Sequence, residues 1–179
     1  MPLLITGISH HTASLEIREK IAITRLDYDE RVKELLELEG VEEVVVVSTC
    51  NRTEVYSVGQ KNSPSQIRSW LQAKGGLSNA EMEKHCYVHE REHAVRHLFR
   101  VSGGLDSLVL GESQIVGQLK EAWQMSIAAG GVEKVLDRLF QHAFATGKKI
   151  RSKTRIGDHP VSVAYTTVLL ARQIFGDLV

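Results

Sequence analysis

Glu43-Val44-Val45-Val46-Val47-Ser48-Thr49-Cys50-Asn51-Arg52-Thr53-Glu54-Val55-Tyr56-Ser57-Val58 is the stretch that decides the fold class. Residues 43–48 are mostly valine, whose stiff, branched side chain suits a pleated surface, so they read as a buried strand. Cys50-Asn51-Arg52 breaks the run with polar groups, and residues 53–58 alternate enough to form another strand. Upstream, Leu3-Leu4-Ile5-Thr6-Gly7-Ile8-Ser9 reads as a first strand that leaves through the loop His10-His11-Thr12. Downstream, Cys86-Tyr87-Val88 reads as a short strand.

The rest of the chain carries helical spacing. Residues 26–39 place Tyr28, Val32, Leu35 and Leu36 on one face, and Gly40 closes that helix. Ser63-Pro64-Ser65-Gln66 is a helix start, with Ser63 as cap, and Ile67, Trp70 and Leu71 then face inward. Ser78-Asn79-Ala80-Glu81 repeats the capping-box pattern. Residues 91–102 bear Ala94, Val95, Leu98 and Phe99 on an apolar face that Gly103-Gly104 interrupts. From 113 onward Ile115, Val116, Leu119, Ala122, Trp123, Ser126 and Ile127 form one stripe, ended by Gly130-Gly131. Val132, Val135, Leu136, Leu139, Phe140, Ala143, Phe144 and Ile150 form the next. Residues 152–160 read as a loop closed by Pro160, and 161–179 as the start of a further helix. Strands early and helices late predict an α+β fold: a small β-sheet with packed helices, followed by a helical segment leading into a long C-terminal helix.

Composition narrows the function classes. Of 179 residues, 22 are Lys or Arg and 22 are Asp or Glu, with 42% hydrophobic and 25% charged. That balance excludes a disordered charged tail, a collagen-like chain and a disulfide scaffold. Two cysteines, Cys50 and Cys86, fit a reducing cytoplasm. No apolar run approaches the ~20 residues of a membrane helix, so no membrane association is expected. With zero net charge, any contact with nucleic acid must rest on a local patch.

Cys50 is the most suggestive residue. It lies where a buried strand stops, so its thiol is reachable, and Arg52 supplies positive potential nearby. The alternative is a structural cysteine beside a loop; Cys86 reads as structural. Arg52 suits bidentate recognition of a carboxylate, or alternatively a surface pair with Glu54. His85, His89, His93 and His97 recur every fourth residue, but the strand at 86–88 breaks the stripe, and no metal site is expected. His97 stands beside apolar helix positions, where a satisfied core-edge histidine is the plain alternative. Residues 103–114 mix glycines with an apolar run, and Ser107, Glu112 and Gln114 offer acceptors suited to an ammonium group; a turn with a helix cap at Ser113 is the other reading. Lys148, Lys149, Arg151, Lys153 and Arg155 gather at a helix end, as a solvated face matched to the helix dipole or as phosphate ligands. The sequence holds no G-x-G-x-x-G, no G-x-x-x-x-G-K-[ST] and no G-x-S-x-G.

Taken together, several stretches resemble the N-terminal part of glutamyl-tRNA reductases: Gly7-Ile8-Ser9-His10-His11-Thr12-Ala13, Ser48-Thr49-Cys50-Asn51-Arg52-Thr53-Glu54-Val55-Tyr56, the long run from His97 to Gln118, Lys149-Ile150-Arg151-Ser152-Lys153-Thr154, and Val161-Ser162-Val163-Ala164-Tyr165. The resemblance implies an NADPH-dependent reductase that converts glutamyl-tRNA to glutamate-1-semialdehyde through a cysteine thioester, in tetrapyrrole (porphyrin) biosynthesis. It implies Cys50 as nucleophile and His97 as a histidine important for activity. Thr49, Asn51, Arg52, Ser107, Glu112, Ser113, Gln114 and Gln118 match positions that hold the glutamyl moiety. It implies a catalytic unit over 1–155 and the start of a spinal linker helix over 156–179, with the NADPH-binding and dimerisation domains absent. The expected partners are glutamyl-tRNA and, for the full-length family, a second copy of the chain and glutamate-1-semialdehyde aminomutase, with the fragment itself monomeric. Alone, such a fragment is expected to be limited to acyl transfer and thioester hydrolysis. The rival readings are a tRNA-independent thiol hydrolase and a non-catalytic module that binds tRNA or protein.

Overall fold

A computed structural model describes residues 2–60, 63–112 and 114–157. Four antiparallel strands form one sheet in the order β2-β3-β1-β4: β1 (Leu3–Ser9), β2 (Val41–Ser48), β3 (Arg52–Gly59) and β4 (Tyr87–Glu90). Helices cover both faces. Ile8, Val44, Val46 and Val55 point one way, into a core shared with α1 (Leu15–Ile21), α2 (Tyr28–Leu36), α3 (Ser63–Gly75) and α4 (Asn79–His85). Ile5, Val45, Val47, Tyr56 and Val58 point the other way, toward α5 (Arg91–Ser102), α6 (Gln114–Ala128) and α7 (Lys134–Lys153). The expected α+β fold is the one found.

Particular readings shift. Every residue of β3 is buried, because both faces of this inner strand are covered, so the alternation in residues 53–58 separates two cores rather than core from water. The Ser78 capping box forms as expected, whereas the Ser63 hydroxyl donates to the Gln60 carbonyl. Ile127 and Val135 remain 45% and 44% exposed, at the margins of their stripes. The last helix continues to Lys153 and a short 3₁₀ turn follows at Arg155–Gly157, where a loop from 152 was expected. The helix expected over 161–179 lies outside the described residues.

Two buried polar groups lock the helices to the sheet. The Tyr28 hydroxyl sits between the Val46 and Ala122 carbonyls (2.7 and 2.8 Å) and accepts from the Val46 amide, which ties α2 to β2 and α6. Burial pushes its pKa up to about 12. At the start of β2, a register shift between Val41 and Glu43 turns the Glu43 side chain inward. Its carboxylate, 5% exposed, accepts from the amides of Glu133, Val135 and Leu136 at 3.1, 3.0 and 2.7 Å. These are donors that the first turn of α7 leaves without helical partners, and a negative charge there also matches the helix dipole. Glu43→Ala is therefore expected to cost about 2–4 kcal/mol, because it strips buried donors of a charged acceptor; urea denaturation checks it, and a loss within 0.5 kcal/mol contradicts the capping role.

Candidate active site

The site begins at the end of the β2–β3 pair. Ser48 and Thr53 are register partners, and the Thr49 amide donates to the Arg52 carbonyl at 2.8 Å, so Cys50 and Asn51 alone form the loop of a tight hairpin. The Thr49 hydroxyl accepts from the Asn51 and Arg52 amides at 3.2 Å each, which replaces the turn glycine as the stabilising device. Cys50 is exposed at the tip. Its carbonyl accepts from Arg18 Nε at 3.2 Å, and the Asn51 carbonyl accepts from the His10 amide at 2.8 Å. The tip is thus braced by α1 and by the β1 exit loop.

Beneath it, strand period sets three side chains in a row. Arg52, Glu54 and Tyr56 occupy alternate positions of β3 and point to the α5–α7 face. The Glu54 carboxylate is fully buried and takes four donors: Arg52 Nη1 at 2.9 Å, the Tyr56 hydroxyl at 2.6 Å, His97 Nε2 at 2.7 Å, and the Tyr87 hydroxyl. Burial alone would raise its pKa, but the Arg52 charge, His97 and the Tyr56 hydroxyl outweigh it and hold the carboxyl well below the usual range. An ionised carboxylate only accepts, so His97 Nε2 carries its proton. Burial beside this carboxylate raises the Tyr56 and Tyr87 phenols well above their ordinary pKa.

Gly7 makes the Tyr87 contact possible. In register, β1 puts Gly7 between Glu54 of β3 and Tyr87 of β4. A Cβ at Gly7 would stand 2.6 Å from the Thr53 carbonyl oxygen and 2.9 Å from Glu54 Cγ, so only glycine lets the tyrosine and the carboxylate meet across the strand. β4 passes into α5 without a loop, through Arg91 at φ 50°, and this sets His97 over the Tyr87 and His89 rings at 5.9 and 4.7 Å.

Arg52 is 1% exposed. Its Nη2 donates to the Asp106 carbonyl and carboxylate at 2.5 and 3.1 Å, which anchors the loop between Gly104 and Gly111. Asp106 also stands 3.7 Å from Arg100 and 3.8 Å from His11. The pair with Glu54 is therefore real but buried, and the positive potential expected at Cys50 from Arg52 is matched by two carboxylates.

The remaining expected residues are spread around this centre. Ser107 is half-buried in the anchored loop and Glu112 just beyond it, where the Glu112 carbonyl accepts from Arg151 at 2.7 Å. Gln118 lines a cleft of about 160 Å³ together with Ser48, Thr24 and Glu121, at the root of the hairpin. Gln114 is exposed at the start of α6, and Ser113 lies outside the described residues. Among the described residues no hydrogen bond joins Cys50 to His97; the two connect through Arg52 and Glu54. Glu54 was foreseen only as a surface partner of Arg52, and Tyr87, Asp106, Gly7 and His10 were not foreseen as site residues. The i, i+2 spacing of Arg52 and Glu54 on a strand was a usable signal. Burial, His11 and Arg52 lower the pKa of His10, leaving a neutral imidazole beside the hairpin tip.

Because the folded state keeps Glu54 ionised, this group stabilises the fold fully above the unfolded value of about 4.3 and progressively less as pH falls below it. In urea denaturation from pH 7 to pH 3, wild type is expected to lose stability on the acid side, while Glu54→Gln is weaker by about 3 kcal/mol or more at pH 7 and shows a shallower acid loss. Parallel curves would contradict a buried charge at this position.

Comparison with known proteins agrees with this architecture. Residues 6–154 match the family described as "Glutamyl-tRNAGlu reductase, N-terminal domain". The chain is 46% identical over 177 residues to glutamyl-tRNA reductase of Chromohalobacter salexigens and 45% identical over 178 residues to that of Pseudomonas putida, covering 99% of this chain and 42% of each relative. It also resembles the solved structure of glutamyl-tRNA reductase from Methanopyrus kandleri, with a TM-score of 0.77 and 32% identity over 98% of this chain and 41% of that one. The chain thus spans about two fifths of the length of the curated relatives it matches. By this match over most of its length, the chain belongs to the glutamyl-tRNA reductase family, over that family's N-terminal domain.

Proposed function

We propose that residues 1–155 capture the glutamyl group of glutamyl-tRNA on Cys50. The observation that carries this is an exposed thiol at the tip of a two-residue hairpin whose next strand residues, Arg52 and Glu54, are cross-linked in the core. The amino acid arrives as an ester of the terminal ribose, so no nucleotide is needed to activate it. The sulfur attacks the ester carbonyl carbon, a C–S bond forms, the C–O bond to ribose breaks, and the ribose oxygen takes up a proton. The thiol proton leaves to a base of the site. His97, with Nε2–H given to Glu54, keeps Nδ1 as its basic nitrogen for that traffic. The thioester is less resonance-stabilised than the ester it replaces and is the better acceptor for a later reduction. Without that reduction, water attacks the thioester carbonyl, releasing glutamate and restoring the thiol.

Arg52 is the group for the substrate's side-chain carboxylate, which would take the place of Asp106; Asp106 then has Arg100 and His11 within reach. Glutamine lacks the charge to make this exchange, and the discrimination follows. Ser107, Glu112, Ser113, Gln114 and Gln118 offer acceptors to the α-ammonium group, and Thr49 and Asn51 fix the carbonyl near the sulfur. The residues described do not fit a dinucleotide: the sheet is antiparallel, with no strand-to-helix glycine cradle for a pyrophosphate, so no hydride step is derived from them. NADPH, homodimerisation and hand-over to glutamate-1-semialdehyde aminomutase are assigned to the whole protein, and a cytoplasmic location suits its tRNA substrate. Among the described residues no helix is long and apolar enough to cross a membrane.

The chain is expected to release tRNA from glutamyl-tRNA in single turnover. Cys50→Ser should abolish this, and Cys86→Ser, at a half-buried thiol whose pKa burial raises, should retain it. Acid-gel analysis of the tRNA reads both. Equal behaviour of the two variants contradicts the assignment, and equal turnover of free glutamyl esters favours a tRNA-independent hydrolase.

A further inference from the structure

A groove of about 640 Å³ runs between the first half of α6 and the last turns of α7, with no hairpin residue in its lining. Val116, Phe144 and Ala145 make its apolar part, and Lys120, Lys148 and Arg151 its charged part, with no acidic residue in the lining. Lys120 Nζ stands 5.8 Å from the centre of the Phe144 ring. Arg151 gives one nitrogen to the Glu112 carbonyl, while its buried Nε has no partner. None of the three cations is in an ion pair among the described residues. On α2, by contrast, Arg31 and Lys33 pair with Asp27, Asp29, Glu30 and Glu34.

Unmatched cations around an aromatic floor suit a ligand that brings regularly spaced negative charge together with flat rings. We infer that the α6–α7 groove is a docking surface for RNA, with backbone phosphates on Lys120, Lys148 and Arg151 and a nucleobase against Phe144. This rests on the reading of glutamyl-tRNA as substrate and gives that RNA a second hold, apart from the thiol. Arg151 joins the two regions, because the residue that lines the groove also fixes the Glu112 carbonyl at the end of the loop anchored on Arg52. Neutralised phosphates release counterions, so affinity through the groove falls steeply with salt.

The test uses transcribed, unacylated tRNA of glutamate specificity and the Lys120→Glu/Lys148→Glu double variant, with Lys120→Arg/Lys148→Arg as the conservative control and thermal melts to verify folding. The glutamate variant should bind tRNA at least about tenfold more weakly at low salt, with a reduced slope of affinity against salt, and the arginine variant should bind like wild type. Acylation of Cys50 by a small glutamyl thioester, which needs no RNA, should be the same in all three. Unchanged tRNA affinity and salt slope in the folded glutamate variant overturns the inference. So does loss of self-association in sedimentation, or loss of binding to anionic phospholipid vesicles, with tRNA affinity retained. Wild type that binds tRNA through these lysines but never becomes acylated leaves the groove standing and removes the catalytic reading instead.

Discussion

Four hydrogen-bond donors converge on the carboxylate of Glu54, which has no surface open to water. A lone ion in that position would be prohibitive, so each donor is needed to keep it charged, and each is held in place in return. The consequence is geometric. Arg52 and Tyr56 come from the same strand, Tyr87 from the far edge of the sheet, and His97 from the helix above, so one group fixes the mutual positions of three elements. Asp106 extends the network to the loop beyond α5. The arrangement depends on Gly7, whose missing side chain is the space through which Tyr87 reaches across β1.

A side chain at a loop tip is ordinarily mobile. Here the loop has only two residues, the Thr49 hydroxyl takes the Asn51 and Arg52 amides, and the strand that follows enters the carboxylate network at its first residue. The exposed thiol therefore stands on a rigid base, and in the proposed reaction the mobile partner is the substrate. Such a base also explains why Arg52 is buried rather than open. Under the proposed function, a guanidinium already balanced by Glu54 is oriented before substrate arrives, and exchange of one carboxylate for another at Asp106 costs less than ordering a free arginine.

The strands and most helices were legible in residues 41–59 and in the helical stripes, because valine runs and 3.6-residue spacing report burial directly. Cys50 and His97 could be singled out as types, and the resemblance to known reductases supplied the roles proposed for them. What the sequence withheld was partnership. Arg52 and Glu54 look like a solvated pair when adjacent in text, and only the covering helices α5–α7 make them a core. Glu43 reads as the first residue of a buried strand, and nothing local shows that the register shift turns it onto α7. Asp106 lies 54 residues from Arg52, and no local pattern links the two. The exposed Ile127 and Val135 mark the converse limit, since an apolar stripe says which face is inward but not how far the neighbouring helix covers it.

The most direct test of this account is the rate at which Cys50 takes the glutamyl group from glutamyl-tRNA when Glu54 is replaced by glutamine, measured beside the reaction of the same thiol with a small alkylating reagent. The hairpin tip is held by Thr49 and Arg18, so alkylation should be unchanged, while acyl capture, which needs Arg52 and His97 correctly placed, should fall by about 10²-fold. Capture at the wild-type rate in a folded Glu54→Gln protein would show that the buried carboxylate supports the fold alone and takes no part in the chemistry.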